Sequence, residues 1–173
     1  MLHVQTTATE ANEIVKEAEM IKNIVGDDFY IKIPITKEGL KATAMCKDKG
    51  IGVTTTAIFT QQQALIAASA GSDFVAPYIN RLDNIVSDGA HVVSEIVNIF
   101  KMYNVKTKIL AASFKNAEQV HKISLTGADA VTVRKQRCRI QKTCSGNRCS
   151  HHDRNQVYPV FSGSCRQTIF RLR

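Results

Sequence analysis

The sequence predicts an α/β protein whose parallel strands curl as in a (β/α)8 barrel, and three observations carry that prediction. Up to Val133, strand-like and helix-like segments alternate with a regular beat, as parallel βαβ units require. Gly26, Gly50, Gly71 and Gly127 each stand where a helix-like segment stops just before a strand, a place that suits a residue without a Cβ. Polar side chains recur at the C-terminal ends of the strands, with Lys32, Thr56, Tyr78 with Arg81, and Ser113 expected at the same relative height. Barrels gather reactive groups at that end. A doubly wound sheet also fits the alternation, but no GxGxxG follows any strand, which counts against its dinucleotide-binding form.

The elements follow in order. Over about 9–25, Ile14, Val15, Ala18, Ile21 and Val25 recur at helical spacing, and Gly26 stops the helix. In the next strand, "DDFYIKIPIT" (27–36), Ile31, Ile33 and Ile35 share one face while Tyr30, Lys32 and Pro34 share the other. Thr36 can cap a helix that runs to Gly50. Then come strand 51–59, helix 60–71, strand 73–80, a helix around 88–103 that turns Val92, Val93, Ile96 and Phe100 inward, strand 107–114, a helix to Gly127, and strand 129–133.

A lysine in a strand usually marks an exposed face or an edge. The companions of Lys32 point the other way. If the isoleucine face packs on helices, Lys32 enters the barrel, where desolvation disfavours the ammonium and lowers its pKa. A neutral amine attacks carbonyl carbon and forms a Schiff base, whose iminium then accepts electrons from a breaking C–C bond. That chemistry needs one lysine, a proton shuttle and groups that hold a polyol. It calls for no cofactor and no metal, and no metal-ligand cluster precedes residue 133.

Four segments, "KIPITKEGL" (32–40), "GIGVTTTAIFTQQQAL" (50–65), "AGSDFVAPYINRLD" (70–83) and "ILAASFKNAEQV" (109–120), closely resemble the small transaldolase and fructose-6-phosphate aldolase family. The resemblance spans residues 1–133. It implies that Lys32 is the Schiff-base lysine, and that Tyr78 handles protons through a bound water with Gln5 and Thr56 around it. It further implies that Arg81 and Ser113 receive a substrate phosphate, and an Arg fork with a hydroxyl donor suits that role. Thr56 also fits β propensity alone, and Gln5 also fits an unengaged N-terminal residue. Gln together with Tyr is the aldolase-like combination, since a phenol can protonate an enamine and a phenylalanine cannot. The implied activity is a class I aldolase acting on ketose phosphates. The alternatives are a transaldolase that moves a dihydroxyacetone unit, a non-catalytic fragment, and a basic nucleic-acid-binding module.

Two departures from the family pattern stand out. The family's first two strands, which carry an aspartate and an asparagine of the site, have no counterpart, so an incomplete barrel of strands three to eight is expected over 1–133. Impaired turnover is expected with it. Beyond Val133 the character of the chain changes. Residues 134–173 hold 10 Lys/Arg against Asp153 alone, and four of the five cysteines (Cys138, Cys144, Cys149, Cys165). The expected tail is basic, cysteine-rich and irregular. A zinc site using Cys144, Cys149, His151, His152 and Cys165 is disfavoured by spacing, and a nucleic-acid arm by the lack of interleaved aromatics. With suitable codons, "QKTCSGNRCSHHDR" read one nucleotide later gives KKHAAATDAAIMI, which resembles a C-terminal segment of the family. A frameshift near residue 133 would explain the changes in charge, cysteine content and periodicity together.

The remaining expectations are general. No apolar run approaches the ~20 residues of a membrane span, and the first residues lack the pattern of a secretory signal, so the expected setting is cytoplasmic. A sugar phosphate or small ketone is the expected substrate and a homo-oligomer the expected assembly, with neither membrane nor nucleic acid as partner.

Overall fold

The computed structural model describes residues 2–134, 157–162 and 165–172. The chain runs β1 Leu2–Gln5, α1 Ala11–Val25, β2 Phe29–Pro34, α2 Lys37–Asp48, β3 Gly52–Ile58, α3 Gln61–Ser69 and β4 Phe74–Pro77. It continues through α4 Ile79–Asn84, α5 Gly89–Met102, β5 Lys108–Ala111, α6 Ala117–Ser124 and β6 Ala130–Arg134. Strands β1 to β6 each pair in parallel with the next one in sequence. This is the α/β architecture of an incomplete (β/α)8 barrel.

Two further strands, β7 Val157–Ser162 and β8 Cys165–Arg171, form an antiparallel hairpin, and β8 pairs antiparallel with β6. The sheet order is therefore β1-β2-β3-β4-β5-β6-β8-β7, and β7 comes beside β1. The irregular tail that composition predicts does not hold for these residues. A free β6 edge would leave a row of N–H and C=O groups unpaired, and an antiparallel strand satisfies them. Cys138, Cys144, Cys149, His151 and His152, on which the zinc reading rests, lie outside the described residues.

Periodicity decides which face meets the helices. Ile31, Ile33 and Val53 point outward and pack with Ile14, Val15 and Ala18 of α1 and with Ala42 and Cys46 of α2. Val75, Ile109 and Val131 likewise meet Val93, Ile96 and Phe100 of α5 and Ile123 of α6. Val25, expected on the buried face of α1, is instead 44% exposed, at the last position of the helix before Gly26 turns the chain. Gly26, Gly50, Gly71 and Gly127 all adopt positive φ, as their positions before strands predict. Helix starts are capped: Thr36 accepts from the Gly39 amide at 2.9 Å, and Thr60 and Gln63 form a reciprocal capping box at α3.

The α5 face is the main anchor of the second core. Ile96 is fully buried there among Val75, Ile79, Val93 and Ile109. Ile96→Ala should cost about 2–5 kcal/mol, seen as a lower urea midpoint at unchanged slope.

Candidate active site

The inward face of the sheet is built in layers. At its floor the His3 ring stacks on Tyr30 (centroids 5.0 Å apart, 17° between planes), and Phe74 meets both rings edge-on. Leu110 and Ala130 pack against Phe74 and complete this layer. One inward-facing position beyond His3 and Tyr30 stand Gln5 and Lys32, in parallel register with Thr54, which itself pairs with Phe74.

Lys32 is thus on the interior face, half-buried, between an aromatic floor and the mouth. Burial holds its ammonium below the ordinary lysine value. Among the described residues, no carboxylate pairs with it. The strand that carries it is tied down beyond the lysine. A Cβ on Gly39 would lie 2.1 Å from the Pro34 carbonyl oxygen, so only glycine lets the first turn of α2 close on the end of β2.

The polar residues do not share one height, contrary to expectation. Lys32 is level with Thr54, whereas Thr56 is level with Pro34 and Ala76, and Tyr78 bridges to Ala112 of the next strand. Barrel strands are sheared, so side chains converging on one point come from successive rungs. Two strand residues span about 6.7 Å, which a lysine side chain can cover and a short one cannot. A β-bulge between Thr56 and Ile58, with Ala57 at φ 60°, re-aims the end of β3.

Thr56 and Tyr78 meet. The Thr56 hydroxyl donates to the Tyr78 phenolic oxygen at 3.1 Å, which leaves the phenolic proton free to donate elsewhere. Phe59 packs edge-on to the Tyr78 ring, and the Arg81 guanidinium lies over it at 4.8 Å. Arg81 is exposed, so its fork remains open to an anion. Ser113, at φ 65°, is clamped to the same end: its carbonyl accepts from the Asn80 amide at 2.9 Å, and Ala112 accepts from the Ile79 amide at 3.0 Å. The short helix α4 therefore brings Arg81 and Ser113 to one rim.

Gln5 lies beside Lys32 in register. Its amide donates to the Lys32 carbonyl at 3.1 Å and has no hydrogen bond to Thr56 or Tyr78. The turn after it is fixed by the Glu17 carboxylate, which accepts from the Thr7 and Ala8 amides and the Thr6 and Thr7 hydroxyls.

Sequence reasoning passed over His3. It is 1% exposed, with Nδ1 at 2.8 Å from Thr54 Oγ1, and burial together with the Lys32 charge holds its pKa down to about 3. A single histidine in an apolar strand gives no signal by itself. Only the register with Tyr30 and the neighbouring Lys32 gives it meaning.

The family model for transaldolase/fructose-6-phosphate aldolase matches residues 1–150, past the point where composition changes. The chain is 42% identical over 132 residues to a probable fructose-6-phosphate aldolase of Streptococcus pneumoniae, covering 76% of this chain and 60% of that protein. It is 40% identical over 130 residues to a probable transaldolase of Hydrogenobaculum, covering 75% and 59% respectively. A solved structure described as "Native KDPGal structure" superposes with a TM-score of 0.56 at 12% identity, over 75% of this chain and 57% of that one, a likeness of fold alone. The chain spans about 60% of the length of the curated relatives it matches. A family model that matches residues 1–150 and relatives about 40% identical over three quarters of the chain show that it belongs to the transaldolase/fructose-6-phosphate aldolase family.

Proposed function

We propose that this chain performs aldol chemistry through Lys32, cleaving or forming a ketose phosphate of the fructose 6-phosphate kind. The observation that carries the reading is the Lys32 amine itself, desolvated on the interior face with no carboxylate partner among the described residues. The neutral amine adds to the ketone carbon, and the carbinolamine loses water to give the iminium. The bond between the third and fourth carbons then breaks. Its electron pair moves into the iminium to form an enamine, and the hydroxyl of the fourth carbon loses its proton as an aldehyde departs. Protonation of the enamine carbon and hydrolysis of the resulting iminium release the three-carbon ketone and regenerate Lys32.

Tyr78 suits the proton step, since Thr56 occupies its oxygen and frees its proton. That phenol favours release of the ketone over its transfer to a second aldose, and so favours aldolase over transaldolase. Arg81 and Ser113 at the rim suit the phosphate. The same reading carries a cytoplasmic setting and a homo-oligomeric assembly. Among the described residues, no helix is long and apolar enough to cross a membrane.

Borohydride added with dihydroxyacetone or fructose 6-phosphate should trap one adduct, on Lys32 alone, by peptide mass mapping. Adducts spread over surface lysines would defeat the assignment. Arg81→Ala should weaken phosphorylated substrates by about 1.5–3 kcal/mol while sparing unphosphorylated analogues. Equal losses for both substrates in steady-state kinetics would make Arg81 structural.

A further inference from the structure

We propose that His3 is a positioning residue for the Lys32 amine, acting through the hydroxyl of Thr54; the proposal rests on the reading of Lys32 as the reacting group. Packing does not account for an imidazole at this place. A phenylalanine would make the same stack on Tyr30 and the same edge contact with Phe74, whereas His3 carries a buried Nε2 with no partner among the described residues. Thr54 is also fully buried, where a valine would fill the same volume. Two polar groups are thus kept inside the barrel, 2.8 Å apart, Thr54 in register with Lys32 and His3 one inward-facing position below it.

The unpartnered nitrogen indicates the tautomer. A buried N–H left without an acceptor is rarer than a buried acceptor left without a donor. Nε2 is therefore the bare nitrogen, and Nδ1–H donates to Thr54 Oγ1. The Thr54 proton is then free to be donated in turn. Lys32 stands in register with Thr54, and when its amine turns to that hydroxyl it can accept the proton only as a neutral amine, because an ammonium has no lone pair. The pair His3–Thr54 accordingly favours the nucleophilic form of Lys32. His3 itself stays neutral throughout, its pKa held at about 3 first by burial and then by the Lys32 charge. The titratable groups near it are Lys32 and Tyr30 on β2 and the amino terminus, while Thr54 of β3 and Phe74 of β4 do not titrate.

The test reads the protonation of Lys32 without requiring turnover. Competitive acetylation with acetic anhydride across pH, read by mass spectrometry at Lys32, is compared in the full chain, His3→Phe, His3→Asn and Thr54→Val. His3→Phe and Thr54→Val should each lower Lys32 reactivity at pH 7 by about three- to tenfold, as for loss of one neutral hydrogen bond, and move its midpoint upward. The double substitution should do no more than either single one. His3→Asn, whose amide can stand in for Nδ1–H, should restore most of the reactivity. An unchanged midpoint in Thr54→Val, an isostere that keeps the packing, would overturn the proposal even if His3→Phe failed to fold. An equal loss in His3→Asn and His3→Phe would also overturn it. If the unsubstituted chain forms no borohydride adduct while these shifts persist, the aldolase reading fails and the His3 proposal stands. An adduct without the shifts gives the converse.

Discussion

Lys32→Met should abolish the borohydride adduct and lower turnover by a factor on the order of 10⁴–10⁶, the scale seen when a covalent nucleophile is removed. The same change should make the fold more stable at neutral pH. Burial holds the folded pKa of Lys32 below its unfolded value, so between the two values the unfolded chain binds more protons. Stability then rises with pH across that window, and the penalty is complete below the folded value. Methionine has a similar length and carries no charge to desolvate. Its melting temperature should exceed that of the unsubstituted chain below the window, and the difference should close above it. A substitution that destroys activity and raises stability is the signature of a group retained for chemistry. A fall in both would make Lys32 a structural residue, and thermal melts at several pH values separate the two cases.

Tyr78→Phe should reduce release of free ketone by about 10²–10⁴-fold, the usual worth of a positioned acid/base group. The ring's edge contact with Phe59 and its position under Arg81 can both survive the change, so stability and phosphate affinity should move little. What is lost is the phenolic proton that Thr56 leaves free. Formation of the Lys32 adduct should persist, because the phenol is not the nucleophile. Transfer of the enamine to an added aldose should fall less than release to water, which turns the variant toward transaldolase behaviour. A Tyr78→Phe chain that releases ketone at the original rate would remove Tyr78 from the proton path.

Much of this architecture was legible in the residues, and the limits of that legibility have physical causes. Period-two patterning placed Ile31 and Ile33 against helices and Lys32 inside, because alternation is a local property of one strand. Heights across strands depend on shear, which no single strand encodes, and this is why Lys32 came out level with Thr54 rather than Thr56. The strand expected over 73–80 spans only Phe74–Pro77. Pro77 ends it, and Ile79–Asn84 is a helix too short to show a helical period. The β7–β8 hairpin depends on pairing with β6, far away in sequence, and Pro159 within β7 argues against a strand when read locally. His3 and Gln5 show the same limit at the site: their partners Thr54 and Lys32 follow from register, not from spacing.

The pairing of each parallel strand with its sequence neighbour has a consequence for how the molecule opens. Such an array behaves like a linear stack, in which an inner strand is held by ladders on both sides and an end strand by one. β3 and β4, which carry Thr56 and lead into Tyr78, have ladders on both sides, while β1, with His3 and Gln5, has among the described residues a ladder only to β2. Fraying of β1 would admit water beside Lys32 and remove its neighbour His3 while the Thr56–Tyr78 pair stayed intact. The lysine's environment thereby depends on the strand of the parallel array that has, among the described residues, a ladder on one side and only the flanking β7 on the other, and loss of its special reactivity on warming should precede global unfolding.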